Sequence, residues 1–467
     1  MDKGFDDKQL NGAGSARGAA GFLAPRDLVR SGRRLGLPSL ALSVFLFGST
    51  WLSAAVPGNQ ELLAAIPDNA WARQQLAEAL VEPLAQLGKD DERVLRQVVA
   101  PQEVRFRVMR EAGSVYLVFQ NRVGKSWPDT APGNVIIRRD LRGGGVDQVK
   151  LFLANDPLLF LRVTKAGSGS LLSVFFRDNQ TPLYRDLPIP LPIERVALTP
   201  LATLMKITDT RVVWNLFLNR PEASFYVDSL SMVRAIRGAL PYLPDADDGA
   251  MDAKGNMVKI SGVTATGTPG FNCSGFAKWV ADGMFRPLTA RTEGQGRYLD
   301  IETLSQRQLS LRSDPASDPF EESRDPWFGL DWTRNIAREL AVARLGVASG
   351  ADEAQDVRKV PFLEYTEDRG YPSAELEKLL YLLAVKEPGN FYLAAVNGDF
   401  GNRPVLWQYY HIVVLFPAFD EAGRFRCAVF ERNNETSLAS LQKRYPKEFM
   451  HLVRIRASGD FELPRIK

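Results

Sequence analysis

The scarcest chemically competent side chains in this 467-residue sequence are two cysteines and two histidines: Cys273, Cys427, His411 and His451. Cys273 lies in "TPGFNCSGFAKWVADGMF", where Gly and Pro stop any preceding strand and Asn272 or Ser274 can serve the start of a helix. Phe276, Trp279, Val280 and Gly283 then share one face of that helix, with Cys273 in its first turn. A thiol so placed sits at the positive end of the helix macrodipole, among backbone N–H groups that have no intrahelical partner. Both features favour thiolate, moving the pKa from about 8.5 toward roughly 3.5–7.5 when a histidinium is also near. The same N–H groups can hold an oxyanion.

A cysteine nucleophile needs an imidazole. His411 lies inside "WQYYHIVVLF", predicted as a central strand, and a titratable group among Tyr, Ile and Val requires a reason. It is either the base for Cys273 or a buried structural histidine with satisfied nitrogens. His451, in "FMHLVRI", has no supporting loop or third residue and reads as structural. In "CAVFERNN", strand alternation puts Cys427, Val429, Glu431 and Asn433 on one face. Glu431 or Asn433 can therefore accept from the imidazole Nδ1–H and leave Nε2 to take the thiol proton; Glu431 is the choice. Arg432 reads as a solvated neighbour. Cys427 reads as a small buried hydrophobe, the alternative being a disulfide to Cys273 that would abolish nucleophilicity. Trp407, Tyr409 and Tyr410 either line a groove beside His411 or simply fill the sheet.

The segment "FNCSGFAKWVADGMF" resembles the nucleophile segment of the NlpC/P60 cysteine peptidases of the papain-like superfamily, which reads Asp-Cys-Ser-Gly-Phe ahead of a helix. The run "NFYLAAVNG…VLWQYYHIVVLF…RFRCAVFERN" is similar to that family's core sheet, in which the histidine opens the second strand and a polar orienting residue follows on the third. The resemblance covers the chain from about residue 250 onward. It implies a Cys273–His411–Glu431 triad, no cofactor or metal, and cleavage of amide bonds in the stem peptides of bacterial peptidoglycan. Asn272 departs from the usual acid. A long insert at about 286–388, including "DPFEESRDPWFGLDWTRN", separates helix from sheet and is expected to shape or cover a groove.

Residues 1–58 read as a basic tail followed by an export signal or anchor: Arg26, Arg30, Arg33 and Arg34 precede "LGLPSLALSVFLFGSTWLSAAVPGN". Such a segment places the rest of the chain in the periplasm or cell envelope, with membrane attachment only through this run. Residues 59–240 are expected to form a β-rich accessory domain with leading helices, in which Leu76, Leu80, Leu84 and Leu87 recur at helical spacing. Short β-branched and aromatic runs punctuated by "EAG", "PDTAPG", "RGGG" and "KAGSGS" predict a sandwich or barrel there. Residues 241–467 are expected to hold the papain-like domain, helices first and an antiparallel meander after, so the chain as a whole is α+β. The loop "PDADDGAMDAKGN" places its glycine one residue early for an EF-hand and reads as a solvated turn.

Interspersed charges, 58 basic against 55 acidic, argue against a nucleic-acid partner. "NRVGKSW" lacks the earlier glycine of a phosphate loop, and no HExxH or GxSxG occurs. The expected function is that of an exported cysteine hydrolase with peptidoglycan or a peptide as substrate. The alternatives are a papain-like amidase or acyltransferase on another substrate, and an inactive envelope binding protein.

Overall fold

The computed structural model describes residues 66–88, 92–98, 102–111, 113–218, 221–261, 270–311, 325–345, 355–399 and 407–466. The basic tail and apolar run of the N-terminus lie outside the described residues. No helix among the described residues is long and apolar enough to cross a membrane.

The α+β order is as expected. A short helix α1 (Ala70–Gln75) leads into eight strands: β1 (Glu92–Arg96), β2 (Glu103–Glu111), β3 (Ser114–Asn121), β4 (Val135–Asp140), β5 (Val146–Phe152), β6 (Leu159–Ala166), β7 (Gly169–Phe176) and β8 (Tyr184–Ile189). Each pairs antiparallel with its sequence neighbour in a single sheet of order β1 to β8. This differs from the expected sandwich or barrel. Helices cover the inner face instead of a second sheet, and β1 does not pair with β8 among the described residues. Along β4 the burial alternates residue by residue, with Val135, Ile137 and Arg139 inward. Buried Arg139 donates to the carbonyls of Ala79, Glu82 and Gly144 at 2.6–2.8 Å. The helical partner of the Ala79 carbonyl would be Pro83, which has no N–H, so Arg139 takes up a carbonyl that helix could not satisfy, and Leu80 and Leu87 are buried although α1 ends at Gln75.

Two helices, α2 (Ile193–Leu198) and α3 (Leu201–Thr208), pack on this sheet, and α4 (Val227–Ala239) lies against the second one. The hairpin β9 (Ala250–Met251) and β10 (Met257–Val258) precedes α5 (Cys273–Glu293) and α6 (Phe328–Leu345). Next come β11 (Tyr371–Pro372), α7 (Leu376–Lys386), β12 (Asn390–Asp399), β13 (Trp407–Phe419), β14 (Phe425–Glu431), β15 (Asn434–Thr436), α8 (Leu438–Arg444) and β16 (Phe449–Arg456). The second sheet has the order β11-β16-β12-β13-β14-β15. Its strands β12 and β13 are buried on both faces, so they read as near-continuous apolar runs.

One face of this sheet packs on α4, α5 and α6 through Phe276, Val280, Trp332, Ile336, Leu393, Ile412 and Val414. Each such side chain contributes about 1.5–3 kcal/mol by leaving water. The other face shares a continuous core with the eight-stranded sheet, with α7 between them. There the Tyr381 ring stands edge-on to Phe176 of β7 and to Phe419 of β13, both at 5.0 Å. Helix α6, part of the long insert, is therefore an internal element pinned to α5 and the sheet and not a cover over a groove.

Candidate active site

Helix α5 starts where the sequence places it. The Asn272 side chain caps it by accepting from the Gly275 N–H at 2.8 Å, while its carbonyl accepts from Phe276 at 2.9 Å. With those two donors used, helix geometry directs the N–H groups of Cys273 and Ser274 out of the first turn. The Trp332 indole of α6, fully buried, donates to the Ser274 carbonyl at 3.0 Å and fixes the helix head from behind.

Gly275 faces the hairpin, where a Cβ would stand 1.9 Å from the Gly249 carbonyl oxygen. The third residue of Cys-Ser-Gly is thus glycine because the helix head lies on main chain. Gly275→Ala is expected to cost about 1–3 kcal/mol of stability and to displace the thiol. A lowered denaturation midpoint together with slower thiol labelling at neutral pH would show both effects.

His411 is set by an irregularity in β13. This strand pairs with β12 through His411 opposite Val396, and then Tyr409 meets Asn397, a register slip of one residue at Tyr410. Such bulges re-aim side chains. Tyr409 is buried toward α6, where its ring lies 5.3 Å from Trp327 and its hydroxyl donates to the Asp368 carbonyl at 2.7 Å. Tyr410 and His411 instead both meet the Tyr445 ring, at 6.2 and 5.8 Å. The bulge, invisible in a periodicity argument, divides the three aromatics "WQYY" between core and site.

The last pair joining β13 to β14 is Val413 with Glu431. The chain then turns at Arg432, whose φ is +54°. Beyond that point the edge of β13 is open, and the head of α5 fills the gap. There the Cys273 thiol comes within electrostatic reach of the His411 ring, the Ile412 backbone N–H and the Ser274 hydroxyl. Burial pushes this thiol up, but the His411 hydrogen bond and charge, with the two other donors, outweigh it and hold the pKa below the ordinary thiol range. Burial likewise opposes charge on His411, and the hydrogen bonds and charges of Cys273 and Glu431 overcome it, raising the imidazole to about 9. Both shifts favour the thiolate–imidazolium form of the pair.

The side chain facing the imidazole is Glu431, which accepts from His411 Nε2 at 2.9 Å. This reverses the expected use of the ring: Nε2 faces the carboxylate, so Nδ1 is the nitrogen left for the sulfur. The reason is position, since Glu431 and His411 share a sheet face while the sulfur approaches at the strand edge. Asn433 is spent elsewhere, donating to the Leu243 carbonyl at 2.9 Å. Arg432 is not a solvated neighbour either. It pairs with Asp245 at 2.9 Å and donates to the Ala246 carbonyl at 2.7 Å, tying the acidic loop to the site's rim.

Two groups were missed by sequence reasoning. Arg444, at the end of α8, holds the second Glu431 oxygen at 2.5 Å, and Tyr445 supplies the ring over His411. Arg444 contributes to keeping the carboxyl below its usual range, after burial and the opposing bond and charge of His411. Their only trace in the sequence is "KRY" at a helix end, which carries no signal for a histidine on another strand.

The other cysteine and histidine lie apart from this site. Cys427 sits four residues before Glu431 on β14; burial raises its pKa, and both cysteines are free thiols. His451 is fully buried on β16, 3.5 Å from Asp356 Oδ2 and 3.4 Å from Arg334, with burial lowering its pKa.

Residues 63–216 match a family described as a domain of unknown function (DUF8515). That match covers the eight-stranded sheet and ends before Cys273. No curated protein and no solved structure matches the chain.

Proposed function

We propose that this chain is an exported cysteine hydrolase that cleaves amide bonds, with peptidoglycan stem peptides as its substrate. The observation that carries this reading is the run of hydrogen bonds from His411 through Glu431 to Arg444, with the Cys273 thiol within electrostatic reach of the imidazole at the open edge of β13. A cysteine helix laid on an antiparallel sheet, with histidine on one strand and its acid on the next, agrees with the NlpC/P60-like arrangement of a papain-like domain.

In this mechanism the Cys273 thiolate attacks the amide carbonyl carbon, forming a C–S bond and an oxyanion. The Cys273 and Ser274 N–H groups are placed to receive that oxygen. Collapse breaks the C–N bond, and the His411 imidazolium gives its proton to the departing amine, leaving a thioester. Water then attacks the thioester, His411 takes its proton, and the thiolate is released with the free acid. Glu431 keeps the ring oriented and stabilises its cation throughout.

The test is to incubate the protein with cell-wall sacculi and follow new amino groups, alongside iodoacetamide labelling against pH. The expected result is amine release abolished by prior alkylation of Cys273, and labelling that is already rapid below pH 7. Rapid labelling without release would move the same chemistry to another amide or acyl substrate. Labelling only under alkaline conditions would overturn the hydrolase reading and leave a binding protein.

A further inference from the structure

In the register of the first sheet, Arg107, Val118, Ile136, Lys150, Arg162 and Ser173 form one transverse row on the face opposite the main core, Val118 and Ser173 buried and the other four half-buried. Lys150 and Arg162 are direct cross-strand partners of like charge, an arrangement that destabilises a sheet. Among the described residues neither has an ion pair. The acids nearby are committed elsewhere: Asp147 to Arg138 at 2.8 Å, Glu92 to Arg105 at 3.7 Å, and Asp186, past the end of the row, to the Ser173 hydroxyl at 3.2 Å.

Aromatic rings hold the two cations in place. Lys150 Nζ lies 3.8 Å from the Phe160 centroid and 4.7 Å from that of Phe152, and the Arg162 guanidinium lies 4.4 Å over Phe175. Phe160 and Phe175 are themselves stacked at 4.6 Å. Ring faces stabilise a cation without neutralising it, so both half-buried side chains keep their charge. Burial, and then the charge of Arg162, hold the Lys150 ammonium below its ordinary range, a cost that an incoming anion would relieve.

The β1 margin of the same sheet adds a different chemistry. Val94, opposite Arg105, is 54% exposed, and at the strand ends Val98 is 83% and Val123 47% exposed. Val123 adjoins Arg122, which together with Arg105, the partner of Val94, lies over the Trp127 indole. A soluble polyanion would gain from the cations alone. Exposed valines and an indole among arginines suit a surface that presents phosphates above hydrocarbon.

We propose that this face of the eight-stranded sheet docks on a membrane surface of anionic phospholipids, with Lys150 and Arg162 receiving headgroup phosphates. The inference is independent of the chemistry at Cys273.

The test is sedimentation of the full chain with vesicles of phosphatidylcholine alone and of phosphatidylcholine mixed with phosphatidylglycerol. Residues 1–65 stay in every variant, so whatever binding they contribute is common to all. Lys150→Gln with Arg162→Gln is expected to lower affinity for the mixed vesicles by roughly tenfold or more, and Arg107→Gln in the same row by about fivefold. Arg291→Gln with Arg424→Gln, which removes equal charge from the other sheet's surroundings, should change it by less than about twofold. Removing the pair relieves its repulsion and loses its ring contacts, opposite effects on stability that a thermal melt reads, and Arg107→Gln reads the row separately where melting is lowered. Equal affinity for the two vesicle types, or equal losses in the two double variants, would overturn the proposal. So would binding of inorganic polyphosphate that is as tight as vesicle binding and indifferent to Val94→Ser.

Discussion

Replacing His411 with alanine is expected to lower amide hydrolysis by about 10³-fold or more, because one substitution removes the proton donor to the amine and the cation that keeps Cys273 ionised. The second loss can be read without substrate. With the imidazole gone, burial is left as the largest influence on the thiol, and its pKa must rise toward or past the ordinary value of about 8.5. Labelling below pH 7 should therefore collapse in the variant and recover under alkaline conditions. If His411→Ala still labelled rapidly below pH 7, the imidazole would not be the activating group.

The same pair fixes the pH profile of the unaltered protein. His411 is raised to about 9, so its cation persists until pH approaches that value and hydrolysis should fall above it. On the acid side, hydrolysis should fall where the thiolate takes a proton, below the ordinary thiol range. Alkylation needs only the thiolate and should not decline above pH 9, which separates the two limbs. The His411 contribution to stability is present below the unfolded pKa of about 6.5 and is lost as pH rises through about 9, whereas the Cys273 contribution is present above about 8.5 and is lost as pH falls through the folded thiol's lowered pKa.

The helix head was legible because its determinants are local: Asn272 as cap, Gly and Pro before it, and apolar residues at helical spacing after. Strands β2 to β7 were legible for the same reason, each being a short β-branched run between turn residues. Glu431 was reachable by alternation alone, since β14 is regular up to that residue. What escaped depends on register and on contacts across the chain. The slip at Tyr410 cannot be read from one strand, yet it decides which aromatics face His411. The ring's orientation followed from where β14 ends, and Arg444 reaches Glu431 from a helix packed on another part of the sheet. Whether the first eight strands made one sheet or two was likewise undecidable from alternation, which reports a buried face without saying what buries it.

Glu431→Ala is expected to lower hydrolysis by about 10²-fold, with the conservative Gln variant losing less, since an amide oxygen can still accept from Nε2–H but brings no charge. The imidazole pKa measured by NMR distinguishes this from a packing defect. Alanine takes away both a hydrogen bond and a negative charge that raise His411, and glutamine takes away the charge, so its pKa must fall from about 9 in either variant. Arg444→Gln should move it the opposite way or leave it in place, because the carboxylate remains and a neighbouring positive charge is gone. Hydrolysis should nevertheless drop, by roughly tenfold, as Glu431 loses the guanidinium that anchors its second oxygen and the ring loses its fixed aim. Opposite signs in pKa with the same sign in rate would mark Arg444 as a positioning residue that acts through Glu431. A parallel fall of His411 pKa in all three variants would show instead that Arg444 merely holds α8 against the sheet.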